Sequence, residues 1–245
     1  MMSHQHLRFW QKNRRLTSFL VGVVFLMTAV PAFAEFKPRD RKPASENSRA
    51  GGSRGCPSNG GIPITQLAPQ TYIGKTSSTR PMFAWYMSDS QNVRFRLAEL
   101  DSANNLKQIG KVKEIPTIVG INKLELPLDY PKLTTGKTYL WQIAIDCEND
   151  LIVRRAEFTV INNESLANKQ FTSIPASVNH YAKNELWYEA LEEALKTTDK
   201  GKLGQSGATL VKQLAQSEIL MGKEAYIKNI QQRIEYLQKI ASERI

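Results

Sequence analysis

The chain has 245 residues, a formal net charge of +10 at pH 7, 41% hydrophobic residues and two cysteines. This length is enough for a domain with a sizeable core, and two cysteines cannot supply the four ligands of a structural zinc site. The positive charge suits an acidic partner or an anionic envelope surface, without identifying either.

Residues 1–34 have the pattern of a secretory signal peptide. Basic residues within 8–15 precede an apolar run at 16–30, and Ala-Phe-Ala at 32–34 suits cleavage before Glu35. The apolar run is shorter than the roughly 20 residues that a spanning helix needs, although an uncleaved anchor is the alternative. The pattern therefore predicts export by general secretion and a periplasmic or secreted protein.

Removal of the leader would leave 29 Lys and Arg residues against 23 Asp and Glu residues, a net charge of +6. No later apolar run approaches spanning length, so we expect no membrane span after cleavage. We also expect no nucleic-acid role for an exported chain, despite its basic character.

Cys56 and Cys147 both lie in the exported part. An even pair in an oxidising compartment predicts a disulfide, and the alternative is two free thiols. The bond would close a loop of about 90 residues and contribute roughly 4–5 kcal/mol in the chain-entropy description.

Residues 35–59 are rich in basic residues and proline and almost lack large apolar side chains. Such a segment cannot bury enough surface to offset the entropy of ordering, so we expect a disordered basic arm. The arm is either a tether for an anionic partner or a solvated linker.

Residues 60–161 change to a period of two, which is typical of half-buried strands. Turn residues separate seven short runs, a pattern that predicts an antiparallel β-sandwich. The predicted strands are Ile62–Ala68, Arg80–Met87, Asn92–Leu100, Leu106–Lys113, Ile118–Leu128, Tyr139–Cys147 and Ile152–Ile161.

The motif Leu133-x-x-Gly136-x-x-Tyr139 resembles the tyrosine corner of fibronectin type III and related Ig-like domains. The resemblance implies that the Tyr139 hydroxyl bonds to upstream backbone and that Leu133 packs beside it. Trp85 and Trp141 lie on the apolar faces of their strands, so we expect both in the core. The predicted fold class is mainly β with α: an Ig-like or fibronectin-III-like antiparallel β-sandwich followed by a C-terminal helical segment.

Residues 162–178 form a polar linker in this prediction, and 179–245 form the helical segment. Apolar residues there recur at helical spacing. We expect helices at Ala176–Lys183, Leu186–Lys196, Ala208–Leu220 and Lys223–Arg244. The last helix is expected to pack in a bundle, and the alternative is a helix that docks a partner.

Candidate catalytic residues are few. His180 is the one histidine after the leader. The Gly-x-Ser-x-Gly match at 51–55 lies in the basic arm, where it neither follows a predicted strand nor opens a predicted helix, so it does not have the setting of a nucleophile elbow. We therefore predict a non-enzymatic protein without catalytic, cofactor-binding or metal-binding residues. Two pairs of acids, Glu125 with Asp129 and Glu189 with Glu193, leave a carboxylate-based hydrolase as an alternative.

Several short motifs together resemble the cyanobacterial family known as domain of unknown function 928, over about residues 50–220. The motifs are Arg54-Gly55-Cys56, Arg80-Pro81 with Phe83, Trp85 and Tyr86, Gly136-Lys137 with Tyr139, Trp141 and Cys147, and Tyr181-Ala182 with Asn184, Trp187, Tyr188, Ala190 and Leu191. The resemblance implies an exported protein of this architecture, and the family carries no assigned activity.

The expected function is an exported envelope protein that serves as a protein–protein interaction or adaptor module. A sandwich without a catalytic constellation is a frequent host of binding sites. The first alternative is a binder of anionic glycan or envelope polymer that uses the basic arm. The second is the carboxylate-based hydrolase.

Overall fold

The computed structural model describes residues 35–49, 61–147, 150–162 and 169–243. These residues belong to one compact unit that spans Ala32–Ile245. The predicted signal peptide and Cys56 lie outside the described residues, so the leader and the disulfide stay predictions.

The described residues form eight strands in two sheets. The three-stranded sheet has the order β1-β3-β6, and the five-stranded sheet has the order β2-β8-β7-β4-β5. All pairs are antiparallel except the parallel pair of β2 with β8. The strands are β1 Thr65–Gln66, β2 Gly74–Thr76, β3 Met82–Met87, β4 Asn92–Leu100, β5 Leu106–Pro116, β6 Gly120–Glu125, β7 Thr138–Cys147 and β8 Asp150–Val160.

In the part of the chain that the structure describes, a one-turn helix precedes the sheets and four longer helices follow them. The predicted mainly β class with C-terminal helices is thus confirmed. The helices are α1 Glu46–Arg49, α2 Ile174–Lys183, α3 Trp187–Ala194, α4 Gly204–Ser217 and α5 Glu224–Ser242. No helix in the described part of the chain is both long enough and apolar enough to cross a membrane.

The two sheets pack face to face around aromatic side chains. The ring of Phe83 on β3 lies 5.0 Å from Trp141, 5.3 Å from Phe95 and 5.7 Å from Phe158. Tyr188 of α3 enters the same cluster, 5.0 Å from Phe158. Its hydroxyl accepts a hydrogen bond from Trp141 Nε1 at 3.1 Å. The C-terminal helices therefore share the core of the sheets.

Strand β3 is buried along its whole length, from Met82 to Met87. On one face, Phe83 contacts the five-stranded sheet. Helix α3 packs against β3, and helix α5 packs against the neighbouring strand β1. A strand covered on both sides has no polar face, which explains its continuous apolar sequence.

The N-terminal segment differs from its prediction. Residues 35–59 were expected to be disordered, but 35–49 are packed on the body of the protein. Phe36 is 3% exposed, and its ring meets Trp187 edge-on at 4.9 Å. The Phe36 backbone N–H donates to Gln213 Oε1 at 2.8 Å.

Distant partners explain this order. Pro43 forms an antiparallel bridge with Tyr72, and both Arg39 N and Arg39 Nε donate to Glu185 Oε1. Glu157 is 1% exposed and accepts the backbone N–H and the hydroxyl of Ser45. The composition of a segment does not reveal hydrogen bonds to residues far away in the sequence. For this reason the composition of residues 35–49 predicts disorder although such contacts order them.

An irregularity interrupts the outer edge of β5. The register with β4 shifts between Phe95 and Leu97. Gly110 has φ +64° and lies against the ring of Tyr130, where a Cβ would come within 2.6 Å. The Tyr130 hydroxyl donates to the backbone oxygen of Lys111.

Phe36→Ala tests whether the N-terminal segment contributes to stability. Loss of a buried phenylalanine should lower the free energy of unfolding by about 3 kcal/mol. Urea unfolding of the protein 35–245, followed by tryptophan fluorescence, measures this change. Lys37→Ala is the matched control because Lys37 is exposed, and equal stabilities for the two variants would contradict the packing of Phe36.

Candidate ligand-binding face

The outer face of the five-stranded sheet carries a group of polar side chains on three adjacent strands. Arg96 of β4 lies opposite Gln142 of β7, which lies opposite Arg155 of β8. Arg94 lies two residues before Arg96 on the same side of β4, because alternate residues of a strand share a face. We call Arg94, Arg96, Gln142 and Arg155 the arginine face.

Two of its arginines have partners. Arg94 forms an ion pair with Asp146 at 2.6 Å and lies opposite Glu114 of β5. Arg155 Nε donates to Gln142 Oε1 at 2.9 Å, and its terminal nitrogen donates to the backbone oxygen of Asn47 at 3.2 Å. These contacts hold both side chains against the sheet.

Arg96 differs from its neighbours. It is exposed, and it makes no hydrogen bond or ion pair with any described residue. Burial, together with the positive charge of Arg96, lowers the pKa of Arg155. The two guanidinium groups are therefore close enough to repel each other, and the charge of Arg96 has no ion-pair partner among the described residues.

The acidic residues of α3 lie at a different place. Glu189 is buried, and its Oε1 accepts from Thr76 Oγ1 at 2.8 Å, Ser77 N at 2.6 Å and Ser78 N at 2.9 Å. Its Oε2 is buried and has no hydrogen-bond partner among the described residues. This carboxylate anchors the loop after β2 to α3.

Glu192 lies one turn further along α3. Burial, with smaller effects from Glu189 and Glu125, raises the pKa of Glu192. Glu193 accepts from Ser177 Oγ at 2.8 Å and pairs with Lys196 at 3.2 Å.

Three of the four acids considered from the sequence have partners in the structure. Asp129 forms an ion pair with Lys113 at 2.7 Å. Glu189 and Glu193 each have the separate structural contacts described above. A cavity of about 520 Å³ lies between the start of α4 and the end of α5, and Glu243 is the acidic residue among its described lining.

His180 is half-buried near the start of the helical segment. Its ring lies 5.1 Å from Phe171, and its Nδ1 is 3.4 Å from Lys169 Nζ. Burial and the positive charge of Lys169 lower its pKa. In the described ranges, no group of three or more His, Cys, Asp or Glu side chains could hold a metal ion.

The residues expected to be structural lie in the core. The Tyr139 hydroxyl accepts the Thr134 backbone N–H at 2.8 Å, and Leu133 is buried. Trp85 and Trp141 are both 0% exposed. Cys147 ends β7 and packs against the core, but its predicted partner Cys56 is outside the described residues.

A buried charged pair was missed in the sequence. Arg233 of α5 lies 3.5 Å from Glu218 and donates to the backbone oxygens of Gln66 and Ala68. Glu218 accepts the hydroxyl of Thr71 at 2.6 Å. One feature of the sequence could have predicted this pair: Arg233 lies within the apolar stripe of its helix. A charged side chain at such a position needs buried partners.

Tyr139→Phe should lower the free energy of unfolding by about 1 kcal/mol, because it removes the hydrogen bond to Thr134. Chemical unfolding of both proteins measures the difference. Tyr236→Phe is the control, since the hydroxyl of this half-buried tyrosine makes no hydrogen bond with described residues. An equal effect of the two changes would show that the Tyr139 contact is unimportant.

Glu192→Gln should raise stability near pH 7.5, with a smaller gain near pH 4. A carboxyl group with a raised pKa binds its proton more tightly in the folded protein than in the unfolded chain. The protonated group therefore favours folding, and this contribution is lost as the pH rises through the raised pKa. Thermal unfolding at about pH 4 and about pH 7.5 tests this prediction. Glu235→Gln, an exposed carboxylate on α5, is the control; a pH-independent effect at Glu192 would contradict the raised pKa.

A family model described as Domain of Unknown Function (DUF928) matches residues 49–223. The match includes every strand and α2–α4, and it covers more than two thirds of the chain. No curated protein and no solved structure matches the chain. The family resemblance noted in the sequence is thereby confirmed, and the chain belongs to the DUF928 family.

Proposed function

We propose that this protein is an exported, non-enzymatic adaptor that binds a protein partner in the cell envelope through the arginine face. The observation that carries the proposal is Arg96, which is exposed and unpaired among the described residues at the centre of an ordered sheet. Export and a periplasmic or secreted location are parts of this proposal and depend on the leader at 1–34.

The strand order supports an Ig-like sandwich as part of the same proposal. In Ig nomenclature, β1-β3-β6 corresponds to strands A-B-E, and β8-β7-β4-β5 corresponds to G-F-C-C′. The Tyr139 contact with Thr134 is of the kind that a tyrosine corner makes. In this arrangement the arginine face is the outer side of the G-F-C-C′ sheet.

The surroundings of the arginine face favour a protein partner. The small apolar residues Ala98 and Val153 are partly exposed there, and Leu151 on β8 is 48% exposed. Arginine beside apolar surface is a frequent composition of protein interfaces. The contacts of Glu189, Glu193 and Asp129 with neighbouring side chains and backbone favour a non-enzymatic role over a hydrolase.

Binding of an anionic glycan or envelope polymer is the second candidate. The net positive charge and the unpaired Arg96 favour it. Two observations make it the weaker candidate. Arg39 is paired with Glu185. Among the described residues, the outward-facing positions that flank Arg96 on β4, β7 and β8 are not aromatic, so no ring beside Arg96 is placed to stack on a sugar.

Affinity capture from a periplasmic extract tests the adaptor function. The immobilised protein 35–245 is compared with Arg96→Glu and with Lys228→Glu, which makes the same charge change at an exposed position of α5. We expect the wild type and Lys228→Glu to retain the same protein, identified by mass spectrometry, and Arg96→Glu to lose most of it. Repeated captures without any specific protein would contradict the adaptor function.

A further inference from the structure

We propose that Arg96, Gln142 and Arg155 recognise the carboxylate side chains of an acidic protein segment lying across strands β4, β7 and β8. The inference rests on the proposed adaptor function and names the chemistry of its partner. It also makes the outer face of the sheet, rather than the N-terminal arm, the site of charge recognition.

Arg96 and Gln142 have donors that no described residue uses, and Arg155 adds its positive charge beside them. They lie in register on adjacent strands, so the backbones of Arg96 and Arg155 are about 10 Å apart, twice the strand spacing. Gln142 uses its Oε1 to accept from Arg155, and its side-chain nitrogen makes no hydrogen bond with described residues. Arg96 adds a guanidinium group whose planar fork matches a carboxylate.

The electrostatic neighbourhood also favours an anion at this position. Arg96 and Arg155 repel each other, and a carboxylate placed over Gln142 would relieve that repulsion. Asp146 already pairs with Arg94 and therefore limits the positive region on one side. On the other side, the contact of Arg155 with Asn47 joins the region to the N-terminal segment.

The surrounding surface favours an acidic protein segment over an acidic polysaccharide. Ala98 and Val153 are partly exposed beside the arginines and provide small aliphatic contacts. A peptide can place apolar side chains on such residues beside its carboxylates. An acidic sugar chain would instead find no aromatic ring at the described outward-facing positions that flank Arg96 on β4, β7 and β8.

Fluorescence anisotropy with defined polyanions tests the assignment. Labelled poly-L-glutamate and labelled polygalacturonate are titrated with the protein 35–245 at about 50 mM salt, where screening is moderate. We expect Arg96→Gln to weaken binding of poly-L-glutamate at least about fivefold, which corresponds to about 1 kcal/mol. Arg96→Lys should give a smaller loss, because it retains the charge without the planar fork.

Lys228→Gln is the matched control, since it removes one positive charge from an exposed position of α5. Equal losses for Arg96→Gln and Lys228→Gln would overturn the proposal, because binding would then depend on net charge alone. Tighter, Arg96-dependent binding of polygalacturonate would also overturn it and would assign the face to an acidic polysaccharide.

The outcome is separable from that of the proposed function. If affinity capture yields a specific protein whose retention does not change in Arg96→Glu, the adaptor function stands and this assignment fails. If no protein is captured but Arg96 still determines poly-L-glutamate binding, the chemistry of the face stands and the adaptor function fails.

Discussion

The contact between Trp141 and Tyr188 holds the two halves of this fold together. Trp141 lies at the centre of β7, and its indole N–H donates to the Tyr188 hydroxyl inside the core. The next residue back, Trp187, faces a different way: its indole N–H donates to the backbone oxygen of Leu67, and its ring meets Phe36. Two consecutive aromatic residues of α3 thus connect the sheets, the N-terminal segment and the helices, which therefore contribute to one core.

Much of this fold can be predicted from local pattern. In several elements the spacing of apolar residues along the chain shows which face is buried. Examples are the alternation of β7, the apolar run of β3 and the helical stripes of α3 and α5. β2 was missed because three residues, Gly74–Thr76, carry too little pattern to be distinguished from a loop. The start of α4 at Gly204 was missed because two glycines resemble a chain break.

Long-range contacts set the limit of prediction. The order of residues 35–49 depends on Glu185, Glu157 and Gln213, which lie more than 100 positions away. The candidate face has the same property, because Arg94 and Arg96 are visible in β4 but their approach to Arg155 requires the register of β7 and β8. A single sequence contains the residues of the face without showing that they are neighbours.

The irregularity in β5 disfavours pairing between copies of this protein along that edge. An unmodified edge strand exposes a row of backbone donors and acceptors to which a second sheet can add. Here Gly110 kinks that row, Tyr130 already occupies the backbone oxygen of Lys111, and the exposed Lys107 adds repulsion between identical edges. The β5 edge is therefore a poor template for the addition of a second sheet.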